Sequence, residues 1–427
     1  VGKVLLAKIM SEQIQTIFMS KTRSKSAPLI KPASNRLQSL DALRGFDMFW
    51  IISGEGIFHG IASVIKQKYS LQQSTVDWQI RITDDVSPIE RLFVTISNQL
   101  HHTVWNGFTF YDLIFPLFIF IAGVSMPFSY GKKLEQPATD KWGIKKDIYR
   151  SLIKRTIILI LLGMVVNGAL QFNGYENTRF ASVLGRIALS CFCAAVIYLN
   201  CKLSTQIIWF FAILLGYWAA MKLIPVPGYG AGVLTPEGNL EGYVDRILLP
   251  GKLHRKVYDP EGLLSTIPAI CSAMLGIFAG QFLRWSQQRW SAFRIAGCLF
   301  VSSIILIQLG WLWGFIFPVN KNMWTSSFVL YAGGWSAFLF ALFYLVIDVW
   351  GYKKWSMLLV WIGTNSILIY MAAHGVINFE HTSQFLFGGL INQAPEVWHQ
   401  ALLWTGVALI QLAALYFLYR KKWFLKI

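Results

Sequence analysis

The sequence predicts an all-α, polytopic helical membrane protein with about ten transmembrane helices, and three observations carry that expectation. Of its 427 residues, 55% are hydrophobic and the mean hydropathy is +0.49, well outside soluble-domain composition. The apolar residues gather into ten segments, at 42–65, 110–130, 155–172, 181–200, 206–224, 262–283, 294–316, 325–348, 357–376 and 400–419. Each is long enough for a hydrocarbon core about 30 Å thick. The third observation is charge asymmetry. With a cytoplasmic N-terminus, Arg23, Arg36, the basic loop 131–150, Lys202, Arg284, Arg289, Lys353, Lys354 and Arg420 to Lys426 share one side, whereas loop 377–399 has no Lys or Arg. This positive-inside bias puts both termini in the cytoplasm. The net charge of +17 then reflects topology and contact with the lipid bilayer, and no nucleic-acid partner is expected.

In chain order, residues 1–35 are basic and polar, without a signal-peptide core. They are expected to form a cytoplasmic N-terminal tail, disordered or extraneous to the fold, ahead of a transmembrane domain at 36–427. The first helix carries Asp41, Arg44, Asp47, Glu55 and His59 among apolar neighbours. At 100° per residue, Asp41, Arg44, Glu55 and His59 share a stripe about 60° wide. A charge at mid-bilayer costs about 2.5–3.5 kcal/mol, so the stripe must face protein or an aqueous cavity. A buried ion pair explains Asp41 and Arg44 as well as any site does; Glu55, deep toward the outer side, points to a cavity.

The long outer loop 66–109 ends in His101-His102-Thr103-Val104-Trp105-Asn106-Gly107, just before the second helix opens at Asp112. Histidine titrates near neutral pH and can take a proton from a nucleophile or carry a group itself. Adjacent histidines in exposed loops are commonly just solvated. Here they stand beside an indole, an amide and a carboxylate at the membrane border, which suits a sugar-like substrate. In the basic loop and third helix, Arg150, Lys154 and Arg155 are placed to gather an anionic cytosolic cofactor. Arg186 lies inside the fourth apolar run and must face protein or a cavity. The outer loop 225–261, rich in Gly, Pro and Tyr, reads as a structured cap; its His254 reads better as solvated or capping than as catalytic. The loop Pro318 to Trp324 offers Asn320, Lys321 and an indole for hydroxyl recognition. Asn365, Ser366 and His374 are polar positions of the ninth helix. Cys191, Cys193, Cys201, Cys271 and Cys298 fall in helices or at a cytoplasmic end, so neither a disulfide framework nor a metal site is expected.

Several of these stretches together resemble a known family. Leu40-Asp41-Ala42-Leu43-Arg44-Gly45 resembles the opening motif of integral-membrane acyltransferases. Trp105-Asn106-Gly107-Phe108-Thr109 and Asp112-Leu113-Ile114-Phe115-Pro116 narrow the likeness to heparan-α-glucosaminide N-acetyltransferase and its bacterial relatives. Tyr258-Asp259-Pro260-Glu261-Gly262, Pro318 to Asn322, Asn365 to Leu368 and Tyr419 to Lys422 extend it, so it runs from about Arg36 to Ile427. The resemblance implies transfer of an acetyl group from cytosolic acetyl-CoA to the amine of a glucosamine-type sugar on the opposite side. It also implies a homodimer in a bacterial inner membrane, with the acceptor site facing the periplasm. The family's active histidine, three residues before Trp-Asn-Gly, corresponds to His102. Two departures stand out: eukaryotic members have a further N-terminal luminal region and helix, and their polar amide on the first helix is Glu55 here.

Within that scheme His102 is the base or acetyl carrier, Asp112 orients its ring, and Asn106 is the candidate oxyanion donor. Arg44, Arg155 and Arg186 are the candidate cofactor contacts, since guanidinium matches phosphate oxygens. Glu55, Trp105, Asn320 and Lys321 are the candidate acceptor contacts. Two other readings compete. One is an O-acyltransferase of envelope glycans. The other is a small-solute transporter, which predicts repeat symmetry and broken helices in both halves; the sequence shows neither.

Overall fold

The computed structural model describes residues 37–135, 141–172 and 174–425; the tail assigned to 1–35 lies outside the described residues. Among the described residues, eight helices are long and apolar enough to cross a membrane: Gln38–Lys68, Phe110–Gly131, Val183–Asn200, Leu203–Leu223, Leu263–Ser286, Ala292–Gly314, Ser326–Val349 and Glu396–Arg420. A ninth span, Met357–Thr364 followed by Ser366–Val376, is bent by 72°. The protein is thus an all-α, polytopic membrane protein, close to the ten helices expected.

Two expectations need correcting. The third expected segment, 155–172, is the second half of a longer helix, Lys141–Val166. Lys145, Lys146, Asp147, Arg150, Lys154 and Arg155 make its first half too charged to count as apolar. It stops before Gly168, whose φ of +83° breaks the helical path. The second correction is the bent span itself, expected as one continuous helix over 357–376. At the break Asn365 turns outward from the helix: its amide donates to Trp423 O (3.0 Å) and its oxygen accepts from Leu425 N (3.1 Å). The C-terminal segment thus takes up polar capacity that the interruption leaves open. Only this one half-and-half span occurs among the described residues, so the two-fold pattern a transporter would show is absent there.

Glycines set the helix seams. A methyl group at Gly45 would overlap Leu359 O, and one at Gly363 would overlap Asp41 O, so the first span and the bent span touch backbone to backbone. Gly123 and Gly276 do the same for Phe110–Gly131 against Leu263–Ser286. In lipid no hydrophobic force gathers helices, and close contact through small residues supplies the dispersion energy instead.

The first span is interrupted by a π turn, Trp50–Gly54, in which Glu55 N–H reaches back to Trp50 O. Outside the spans, loop 66–109 holds the helix Pro88–Gln99, capped by Ser87, whose buried Val94 packs with Ala62 and Ile65 of the first span. The loop 225–261 is a structured cap, as expected. It contains a hairpin pairing Pro225–Val226 with Gly230–Ala231, and a helix Leu240–Leu248 capped by Asn239.

Candidate active site

The site begins with a helix start. Phe110–Met126 has Thr109 as N-cap and Asp112 at the third helical position. Asp112 Oδ2 accepts from Thr109 N (3.2 Å), Thr103 Oγ1 (3.0 Å) and Thr103 N (3.3 Å), with Thr109 Oγ1 3.1 Å away. Such a capping carboxylate satisfies orphan helix donors and gains from the helix dipole. Its other oxygen, Oδ1, lies 2.7 Å from His102 Nδ1. A carboxylate can only accept, so in the neutral ring Nδ1 bears the proton and Nε2 carries the lone pair. Asp112 is buried, with 1% of its side chain exposed, whereas His102 is 48% exposed and lines the cavity described below. The loop between them is closed at both ends. Gln99 Oε1 accepts from Phe110 N (3.1 Å), and Thr109 Oγ1 donates to His101 O (2.7 Å).

Lys321 arrives from the distant loop Pro318 to Trp324. Its Nζ is 3.1 Å from each ring nitrogen of His102 and 3.7 Å from Asp112 Oδ1. Burial and the Lys321 ammonium hold the His102 imidazole below its usual range, and Asp112 offsets part of that shift. Burial likewise lowers the Lys321 ammonium, against the pull of Asp112 and Glu261. The neighbouring His101 is pushed down to about 4, first by burial and then by His59. Burial and Lys321 both favour the uncharged His102 imidazole, the form a base or nucleophile needs, with the Nε2 lone pair facing Lys321 Nζ.

Two loops are clamped to hold this geometry. Gly107 N donates to Val319 O (2.8 Å), and Asn320 Nδ2 donates to Asn106 Oδ1 (3.0 Å). Asn320 is fully buried and its oxygen accepts from Met323 N (2.9 Å), so both ends of its side chain are engaged within the protein. Asn106 is exposed beside His102. Trp105 is half-buried: its Nε1 donates to Leu234 O (2.8 Å) and its ring meets Tyr258 edge-on at 5.0 Å, which ties it to the 225–261 cap. The structure therefore brings together His102, Asp112 and Lys321, ties Asn106 to Asn320, and holds Trp105 against the 225–261 cap.

Glu55 lies on the other flank. Tyr111 donates a short hydrogen bond to its Oε2, and the Tyr111 ring packs 4.7 Å from His102. Tyr111 was missed in the sequence because nothing in an apolar run marks one tyrosine out. Glu261 was quoted only as part of a motif, yet it lines the cavity. Its carboxylate is bound by Arg179, which also grips the buried Asp259 at 2.8 and 2.5 Å.

Below these groups runs a cavity of about 210 Å³ whose wall is largely aliphatic and aromatic. His102, Lys321 and Glu261 stand in its wall with Tyr370 and His374 of the bent span, while Met48 and Phe118 extend it toward the level of Arg44. Arg44 contacts Asp41 (3.5 Å) and Ser125 Oγ (3.4 Å), and Arg155 bonds the Tyr130 hydroxyl. Both thus lie toward the far ends of the spans that start near His102. Arg186 does not join them. It is buried near the His102 end, bonded to Ser265 and to Gly262 O (3.2 Å), with its guanidinium 5.0 Å from the Trp324 ring centre. The start of Leu263–Ser286 encloses this arginine. No group of three or more metal-ligating side chains exists among the described residues.

A family model described as heparan-alpha-glucosaminide N-acetyltransferase, catalytic, matches residues 89–312, which contain His102, Asn106 and Asp112. Among curated proteins, the heparan-alpha-glucosaminide N-acetyltransferase of Homo sapiens is 32% identical over 386 aligned positions, covering 76% of this chain and 55% of that protein. Its Mus musculus counterpart is 29% identical over 388 positions, covering 76% and 56%. The chain spans about half the length of these curated relatives. Since the family model covers just over half of the sequence and includes the helix start that builds the site, the chain belongs to the heparan-alpha-glucosaminide N-acetyltransferase catalytic family.

Proposed function

We propose that this protein is a membrane N-acetyltransferase that moves an acetyl group from acetyl-CoA to the amine of a glucosamine-type sugar. The observation that carries the reading is the His102–Asp112 pair at the head of an apolar cavity. A neutral imidazole with a buried carboxylate behind it is built either to take a proton from an attacking amine or to accept the acetyl group first. Asp112 fixes the tautomer and stabilises the charged ring that follows. Asn106 or Lys321 supplies the donor for the oxyanion that develops on the thioester carbonyl.

The same reading assigns the two ends of the cavity. Arg44 and Arg155 hold the phosphates of CoA on the cytoplasmic side, as the distribution of Lys and Arg directs. The apolar wall from Met48 upward suits the pantetheine arm. Glu55 and Lys321 meet the sugar on the outer side, the periplasm of a bacterium, with Trp105 and Asn320 setting the shape of that pocket. A homodimer is part of the reading by family likeness alone.

The test is transfer from labelled acetyl-CoA to glucosamine by the full chain purified in detergent, beside His102→Ala. Loss of turnover in His102→Ala with CoA binding retained supports the proposal. Transfer to hydroxyl acceptors and not to amines moves the assignment to O-acylation. Absence of both binding and turnover of acetyl-CoA sinks the acyltransferase reading and returns attention to transport.

A further inference from the structure

The acetyl transfer proposed above leaves one proton unassigned. An amino sugar near neutral pH is largely an ammonium ion, R–NH3+, and it has no lone pair to attack with. When the C–N bond forms and the C–S bond breaks, His102 can pass one N–H proton to the departing thiolate. The other must leave the site, so each turnover releases one proton.

A second acid–base pair sits next to His102. The π turn Trp50–Gly54 immediately precedes Glu55, and turns of this kind recur at functional positions because they re-aim the side chains that follow. Glu55 Oε2 is held by Tyr111, and Oε1 lies 3.5 Å from His59 Nε2. His59 Nδ1 is 2.7 Å from Ser97 Oγ, and its ring stacks on His101 at 4.1 Å. Other groups facing the pair are His102, and His374 of the bent span. Lys68 and Glu90 bind each other farther along the same helices, and the C-terminal helix meets this segment through Ala401 and Trp404. Glu55 and His59 are 35% and 19% exposed, so the pair joins the site to the surface of loop 66–109. A carboxylate and an imidazole on a membrane helix carry an insertion cost that packing alone does not require.

We infer that Glu55 and His59 form a relay that takes the ammonium proton of the acceptor and discharges it on the His102 side of the membrane; this rests on the acetyltransferase reading. Glu55 receives the proton from R–NH3+ and hands it to His59 Nε2, and His59 gives up its Nδ1 proton through Ser97 Oγ toward loop 66–109. The neutral amine then attacks the thioester carbon while His102 takes the second proton and returns it to sulfur. The products are R–NH–acetyl, CoA thiol and one proton. Glu55 touches the acceptor; His59 acts through Glu55. The 3.5 Å separation suits a pair that tightens when substrate arrives.

The experiment is the pH profile of kcat/KM for glucosamine with the full chain, wild type beside His59→Gln and Glu55→Gln. Above the pKa of the sugar amine the acceptor is already neutral, and His59→Gln turns over at the wild-type rate, which also shows that it folds. Below it, and above the acidic limb that His102 sets, the wild type stays nearly flat, whereas His59→Gln follows the neutral-amine fraction and falls about tenfold per pH unit. Glu55→Gln shows the same slope together with a raised KM. Parallel profiles for wild type and His59→Gln, or a uniform loss at all pH, overturn the relay while leaving the acetyltransferase standing. No turnover by the wild type overturns both.

Discussion

His102 takes its character from neighbours that pull in opposite directions. Burial and the Lys321 ammonium favour the neutral ring, while Asp112 favours the charged one. Activity needs the neutral ring, so the acidic limb of the pH profile follows the imidazole pKa. Lys321→Met removes a nearby cation, raises that pKa and moves the limb to higher pH; kcat/KM against pH checks it. Asp112→Asn acts through the tautomer as well, since an amide can donate to Nδ1 and leave the proton on Nε2. We expect kcat to drop by about 100-fold or more while acetyl-CoA binding is retained, as single-turnover and equilibrium binding measurements would show. Both residues were named from the sequence. Their contact was not visible there, because His102 and Lys321 stand 219 positions apart and only the fold joins them.

At the scale of elements, the site depends on supports that have no chemistry of their own. Arg179, Asp259 and Glu261 join the loop before Val183–Asn200 to the end of the 225–261 cap, and Asp259 is fully buried. Removing one member of such a pair strands a buried charge. Arg179→Leu is therefore expected to destabilise the protein by about 3–5 kcal/mol, read as a lower midpoint of thermal unfolding in detergent. Asn365 is a gentler case. Asn365→Ala breaks two hydrogen bonds to the C-terminal segment, each worth about 1 kcal/mol, and frees the bent span whose second half carries Tyr370 and His374. Its effect should appear as faster hydrogen exchange at residues 423–425, with a smaller loss of stability than Arg179→Leu. The polar residues Asn365 and Ser366 were legible as an anomaly in an apolar run. That they mark a 72° break was not, since no proline interrupts the run and the adjacent Gly363 reads equally well as a helix-packing residue.

For the whole molecule, the prediction concerns sidedness. Single cysteines replacing Trp78 and Lys353, in a chain with its five native cysteines changed to serine or alanine, should label from opposite sides with a membrane-impermeant maleimide. Trp78 is expected to react from outside intact cells, and Lys353 only after permeabilisation. Labelling of both from one side would remove the basis for separating donor and acceptor.

Composition and periodicity by themselves determined that this chain is a helical membrane protein, because the bilayer imposes length and polarity limits that any spanning segment must obey. They also brought out His102, Asp112 and Glu55, since ionisable groups beside or within apolar runs are conspicuous. Only tertiary structure decided which of them meet. It placed Lys321 against His102, withdrew Arg186 under Trp324, turned Trp105 and Asn320 into supports, and added Tyr111 and Glu261 to the site. Sequence spacing reports which face of one helix a residue occupies. Which side chains share a cavity depends on how helices far apart in the chain pack, and here glycine seams and loop clamps set that packing.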